Sequence, residues 1–234
     1  QQRVPVLRVV GRRRVALDRG IGEGLARASL DRGDTVVAFG RGRPSWAAND
    51  SGTFHFIDCD MSDHDRLEEA CVAYADPIDI LICSAATFAV GAGTIDHFHP
   101  EALGEAFAVN TIAPLIMGRG LRKNLEAGSR RLIVMMSTGN ASLEGNKSGD
   151  LLGYRVSKTA LNQAVRNLAA EWGAQGFTVA ALNPGWVKTD MGGPNAEMTV
   201  DEAAVQILNF VHNVSVVEAV NGCFVNTDGS RLPW

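Results

Sequence analysis

Ile78-Asp79-Ile80-Leu81-Ile82-Cys83 and Leu132-Ile133-Val134-Met135-Met136 are the two runs on which the fold is read. A half-buried strand alternates apolar and polar residues, and these two scarcely alternate. A strand covered on both faces is apolar at nearly every position, as in a parallel sheet between two helix layers. Shorter β-branched runs at 4–10, 35–39, 53–57, 177–182 and 222–226 surround them. Helical patterns at 21–32, 65–75, 99–124, 154–175 and 201–211 separate the strands. Strands alternating with helices pair in parallel through right-handed crossovers. The expected fold is a doubly wound, Rossmann-like α/β sheet with helices on both faces. No repeat or flexible linker interrupts residues 1–234, so one domain is expected. An open parallel sheet takes its ligand beyond the carboxyl ends of its strands. The residues just after each strand are therefore the candidates for a site.

Composition narrows the function classes. The 234 residues are 46% hydrophobic and 21% charged, with a net charge of −4. That balance gives no general pull toward nucleic acid or an anionic membrane. No apolar run approaches the roughly 20 residues that span a bilayer. Residues 1–10 lack the features of a signal peptide, so the expected location is cytoplasmic. Cys59, Cys71, Cys83 and Cys223 form no CxxC pair and have no His cluster nearby, so they read as reduced thiols and no metal site is expected.

After the first strand come Gly11, the stretch Arg12-Arg13-Arg14-Val15-Ala16-Leu17-Asp18-Arg19, and Gly20-Ile21-Gly22. Glycines at a strand-to-helix turn let backbone approach a pyrophosphate, and the helix N-terminus offers it free N–H groups. Gly20, Ile21 and Gly22 stand where such a turn is needed. The spacing is stretched, because Gly11 lies nine residues before Gly20. Either Gly11 ends the strand and the loop is long, or 12–17 is itself the strand. The second register buries three arginines centrally, which is costly, so the first is preferred.

The second strand runs into Gly40-Arg41 without the acidic residue that would bind a bare adenosine ribose. Arg41 and Arg19 suit a 2′-phosphate instead, which favours NADP(H) over NAD(H). Two solvated surface arginines are the alternative. Asp60 and Met61 follow the third strand, where Asp60 either accepts from an adenine amino group or caps the next helix.

Tyr154-Arg155-Val156-Ser157-Lys158 opens a helix, with Tyr and Lys one turn apart on one face. A free phenol has a pKa near 10, and a neighbouring ammonium lowers it. Such a Tyr can hand a proton to a carbonyl oxygen as hydride reaches the carbon. The hydroxyls of Ser137 and Thr138 precede it, just after an apolar strand.

Together these motifs resemble the short-chain dehydrogenase/reductase family over nearly the whole chain. Val109-Asn110 falls in the helix where that family keeps an Asn. Asn183-Pro184-Gly185-Trp186-Val187-Lys188-Thr189-Asp190-Met191 is similar to its Pro-Gly loop. With the Tyr-Arg-Val-Ser-Lys run and Asn226-Thr227-Asp228-Gly229-Ser230, it is similar to the C-factor/Sniffer-like carbonyl reductase branch. The resemblance implies that Tyr154 is the general acid/base and that Lys158 tunes it and binds the nicotinamide ribose. It implies that Asn110 holds a water through its backbone, and that Pro184, Gly185, Val187 and Thr189 flank the nicotinamide. Asp60 and Met61 would meet adenine. Thr138, sixteen residues before Tyr154, takes the family's Ser position, with Ser137 beside it. Cys83-Ser84-Ala85-Ala86 stands where the family has Asn-Asn-Ala-Gly, which leaves Ala85 against the cofactor.

The expected activity is NADP(H)-dependent hydride transfer to or from a small carbonyl or alcohol. A non-catalytic signalling protein on this scaffold, or a non-redox Tyr/Lys enzyme, are the competing readings. Phe88, His97, Leu143, Trp186 and Met191 are candidate pocket residues, and a short segment at about 190–200 is the expected substrate cover. The helices at 99–124 and 154–175 imply, by the same resemblance, a homodimer or homotetramer, with a monomer as the alternative.

Overall fold

The strands of the described residues pair in parallel in the order β3-β2-β1-β4-β5-β6-β7. The computed structural model describes residues 6–10 (backbone only), 20–47, 52–88, 93–213, 217 and 219–234. The strands are β1 (Val6–Val10), β2 (Thr35–Gly40), β3 (Phe54–Asp58), β4 (Ile80–Cys83), β5 (Leu132–Met136), β6 (Thr178–Asn183) and β7 (Phe224–Asn226). The order reverses beside β1, between β1 and β4, which is the switch point of a doubly wound sheet. β1 ends at Val10, in the register that leaves Gly11 after the strand; Gly11 and Arg19 themselves lie outside the described residues.

The central strands are apolar throughout because both faces are covered. Ile80 and Ile82 join Leu132, Val134 and Met136 in one core, against α1 (Gly20–Asp31) and α7 (Val200–His212). Leu81 and Cys83 join Ile133 and Met135 in the other, against α2 (His64–Ala73), α4 (Ala113–Gly120) and α6 (Leu152–Trp172). Strand alternation thus feeds two cores from one run of residues.

The stretch 99–124, expected to be one helix, is broken. It comprises α3 (Pro100–Phe107), a π-helical turn at Ala108–Ile112, α4, and the start of α5 (Arg122–Ala127). Within the turn the Ala113 N–H bonds to the Ala108 carbonyl, five residues back. Pro114 explains the local weakness, since it has no N–H to offer the Asn110 carbonyl four residues earlier. Single-turn π segments cluster at functional sites, and this one carries Asn110. No helix among the described residues is long and apolar enough to cross a membrane.

Candidate active site

A cavity of about 500 Å³ opens at the carboxyl ends of β5 and β6. Its wall includes Ser137, Thr138, Asn140 and Tyr154 on one side and Ile21, Pro184, Gly185, Val187 and Thr189 on the other. Phe88, Leu151, Trp186 and Met191 line the rest. His97 and Leu143, expected near a pocket, do not line it; Leu143 is 70% exposed.

Tyr154 is buried in the first turns of α6, and its ring meets Phe88 edge-on at 5.0 Å. The Thr138 side chain, just past β5, lies beside the Tyr154 side chain on this wall, and its hydroxyl works to lower the phenol. Burial nevertheless pushes the phenol up, to about 12. Lys158 is 1% exposed, and its Nζ donates to the Met136 carbonyl at 2.6 Å. Burial brings the ammonium down to about 7. The expected lowering of the Tyr154 pKa by Lys158 is therefore not what the structure has. Desolvation is the largest cause at both groups, and the opposing contributions come from Thr138 at Tyr154 and from Cys83 at Lys158.

Of the two hydroxyls after β5, Thr138 is the one at Tyr154. Ser137, also expected as catalytic, donates its hydroxyl to Asn162 Oδ1 at 2.7 Å inside the protein. Both residues line the cavity, but the Ser137 hydroxyl is engaged by Asn162, while the Thr138 side chain is the one beside the phenol.

Asn110 is fully buried and acts through its side chain. Its Oδ1 accepts from the Thr87 N–H at 2.8 Å, and its Nδ2 donates to the Thr87 carbonyl and to Ser157 Oγ, each at 2.9 Å. Ser157 Oγ in turn donates to the Tyr154 carbonyl at 2.9 Å. Asn110 so ties the segment after β4, which carries Phe88, to the helix that carries Tyr154.

On the Pro-Gly side, Gly185 has φ +83°, where a Cβ would also come within 3.0 Å of Met198 Cε. Asn183 Oδ1 accepts from the Gly139 N–H at 3.2 Å, joining the ends of β5 and β6. Thr189 Oγ1 accepts from the Gly192 N–H at 3.0 Å, and Trp186 Nε1 donates to the Gly192 carbonyl at 2.8 Å, which folds 186–192 into a compact flap. Gly20 has φ +78° at the start of α1, and a Cβ there would meet Thr189 Cγ2 at 3.7 Å. The turn is left-handed, as glycine allows, and it brings the N-terminus of α1 against the Pro-Gly side. A second cavity of about 570 Å³ adjoins it, lined by Gly20, Glu23, Lys188 and Thr189 among others.

Arg41 and Asp60, expected to meet different parts of a nucleotide, meet each other at 2.6 Å. Burial raises the Asp60 carboxyl, but the Ser62 N–H and hydroxyl and the Arg41 cation outweigh it and hold it below the usual carboxylate range. Among the described residues, Arg41 Nε and Nη2 are buried with no hydrogen-bond partner. Met61 and Ala85 are buried in the α2–α4–α6 core, so their side chains pack inward.

The cysteines carry no part of this site: Cys59, Cys71 and Cys83 are buried and Cys223 is half-buried. Among the described residues no group of three His, Cys, Asp or Glu could hold a metal ion.

A family model described as Enoyl-(Acyl carrier protein) reductase matches residues 15–225. The chain belongs to the short-chain dehydrogenase/reductase family. Among relatives of this short-chain dehydrogenase/reductase, the C-signal protein of Myxococcus xanthus is 30% identical over 158 residues, 68% of this chain and 93% of that protein. The carbonyl reductase Sniffer of D. melanogaster superposes with a TM-score of 0.87 at 26% identity, over 99% of this chain and 100% of that one. An NADPH-bound carbonyl reductase from chicken fatty liver superposes with a TM-score of 0.86 at 27% identity, with the same coverage. This short-chain dehydrogenase/reductase is an enzyme, a hydride-transfer oxidoreductase of carbonyl reductase-like type.

Sequence reasoning missed Asn140, Leu151 and Asn162. Leu151 gives no local signal, because its left-handed conformation (φ 52°) is one that sequences normally reserve for Gly or Asn. Asn162 lies eight residues after Tyr154 on α6, a two-turn spacing that marks the same face.

Proposed function

We propose that this protein reduces small carbonyl compounds with NADPH, and oxidises the corresponding alcohols, with Tyr154 as the acid/base. The observation that carries the reading is the meeting of the Thr138 side chain and the buried Tyr154 side chain in the cavity between β5 and the Pro-Gly segment. The carbonyl reductase from chicken fatty liver, similar over nearly the whole chain, is an NADPH-bound structure, which favours the same cofactor here.

The residues fit a dinucleotide. The left-handed Gly20 turn and the α1 N-terminus suit a pyrophosphate. The buried, unpartnered Nε and Nη2 of Arg41 suit a 2′-phosphate, whose oxygens would satisfy donors that otherwise cost free energy. Ile21, Pro184, Gly185, Val187 and Thr189 would hold the nicotinamide end, which supplies the hydride when bound. Asp60 orients Arg41 through their ion pair, in place of the adenine contact expected of it. The whole chain then works as one NAD(P)-binding unit, with residues about 190–200 on the substrate side.

Tyr154 donates its proton to the substrate oxygen, and the raised pKa keeps that proton on the phenol throughout the neutral range. Thr138 hydrogen-bonds the same oxygen and sets its position. Lys158, held by the Met136 carbonyl, stands one turn behind Tyr154 and takes the nicotinamide ribose. Asn110 fixes Phe88 and α6 relative to each other, so the phenol and its apolar neighbour keep one spacing.

Nicotinamide fluorescence tests the cofactor, and carbonyl-dependent loss of absorbance at NADPH tests the reaction. NADPH should bind more tightly than NADH. Arg41→Asp should weaken NADPH about tenfold or more while changing NADH far less, the loss expected of a charge-assisted pair. No binding at millimolar cofactor would favour a non-catalytic protein. Binding without consumption across a panel of carbonyls would favour a non-redox enzyme.

A further inference from the structure

In the Tyr-Arg-Val-Ser-Lys run, Arg155 takes no part in the reaction. Arg155 is exposed by only 14%, and its guanidinium is spent entirely on the segment before α6. Nε donates to the Asp150 carbonyl at 2.8 Å, Nη2 to Asp150 Oδ1 at 2.8 Å and to Ser148 Oγ at 3.1 Å, and Nη1 to the Asn140 carbonyl at 3.2 Å. The Ser148 hydroxyl also donates to Asp150, and with Arg155 it holds that carboxyl below its usual range. One side chain therefore joins the two ends of residues 140–150.

Both edges of that segment line the cavity, as Asn140 and Leu151. Leu151 sits at φ 52° and ψ 36°, a conformation that L side chains other than Asn and Asp rarely take. It persists only where neighbouring structure fixes it. The neighbour is Asp150, which takes three of the Arg155 contacts. Residue 141 has an independent tie, since Thr159 Oγ1 donates to the Ala141 carbonyl at 2.9 Å. The hold specific to Arg155 is thus on 148–151.

We propose that Arg155 is a specificity-determining positioning residue, which holds Leu151 in its left-handed turn and so fixes the apolar wall of the substrate cavity. The clamp stands on the contacts alone; its effect on substrates rests on the carbonyl reductase reading above. None of the described residues lining this cavity is charged. Arg155, on the helix that carries Tyr154, is neutralised by Asp150. The cavity therefore selects uncharged carbonyl compounds whose apolar body leans on Leu151, Phe88 and Trp186, and Arg155 sets how well they are held.

The test compares Arg155→Ala, Arg155→Lys and Asp150→Ala with the unaltered protein by two readouts. The first is amide hydrogen exchange over 146–152, where the Gly149 N–H bonds to Asn146 Oδ1 and the Leu152 N–H to the Gly93 carbonyl. The second is the KM and kcat for 2-naphthaldehyde and for propanal, with the pH profile of kcat. Asp150 is 58% exposed, so its replacement leaves the core intact. Arg155→Ala and Asp150→Ala should each speed exchange in this stretch by about tenfold or more. The KM for 2-naphthaldehyde should rise by about tenfold, as expected for losing one aliphatic wall, and that for propanal should change less than about twofold. The pH profile should not move, and Arg155→Lys should recover part of the loss. Unchanged exchange would overturn the clamp. Faster exchange with both aldehydes affected equally would overturn the specificity role. If the unaltered protein turned over neither aldehyde, the reductase reading would fail and take the specificity role with it, while exchange would still decide the clamp.

Discussion

Replacing Lys158 by Met should flatten the rise of stability with pH between about pH 7 and 9. Lys158 titrates near 10.5 when free and is brought to about 7 in the folded protein by burial. Between those values the unfolded chain holds a proton that the folded chain does not. Stability therefore increases with pH across this window, and the full cost of the buried ammonium is borne below it. From pH 7 to 9 the unfolded term falls by about 2.7 kcal/mol and the folded term by about 0.4, a net gain of about 2 kcal/mol. The raised pKa values of Cys59, Cys83 and Tyr154 act the other way, because their unfolded forms ionise first as pH climbs past 9 or 10. All three are present in both proteins, and of them only Cys83 interacts with Lys158 and ionises chiefly above this window, so between pH 7 and 9 the difference between the two curves reports mainly Lys158. Loss of the bond to the Met136 carbonyl lowers the variant's curve as a whole without giving it a slope. Urea unfolding at pH 7, 8 and 9 measures both. Parallel curves, within about 0.5 kcal/mol, would refute the claim that burial destabilises this ammonium.

Asn110→Ala removes three hydrogen bonds from a fully buried side chain and leaves the Thr87 N–H without its acceptor. It should cost about 2–4 kcal/mol in urea unfolding, against well under 1 for an ordinary surface change. Gly24→Ala tests the packing of α1 on α7: a Cβ there would lie 2.6 Å from Val200 Cγ1 and 3.2 Å from Ala204 Cβ. The helices must part slightly, so a loss of about 1–3 kcal/mol is expected in the same assay.

The runs at 80–83 and 132–136 revealed the sheet because burial on two faces leaves its mark at every position. Tyr154 and Lys158 were legible because four residues make one helical turn, whatever surrounds them. Their pKa values were not legible. The direction of a shift depends on how much water is excluded, and only the packed structure shows that both groups lie deep. The break at Ala108–Ile112 was also hidden, since apolar periodicity runs through a π turn almost unchanged; Pro114 was the overlooked sign. The choice between Ser137 and Thr138 is a matter of side-chain direction at a strand end, set by a partner 25 residues on, Asn162. The same is true of Asp60, whose partner Arg41 follows the neighbouring strand β2.

The proton on the Tyr154 oxygen is the centre of the account, and single-turnover kinetics reach it most directly. Tyr154→Phe, loaded with NADPH and mixed with 2-naphthaldehyde, should keep its cofactor affinity and lose about a thousandfold or more in the rate of nicotinamide oxidation, the share usual for a positioned general acid. A rate within about tenfold of the unaltered protein would mean that another group supplies the proton.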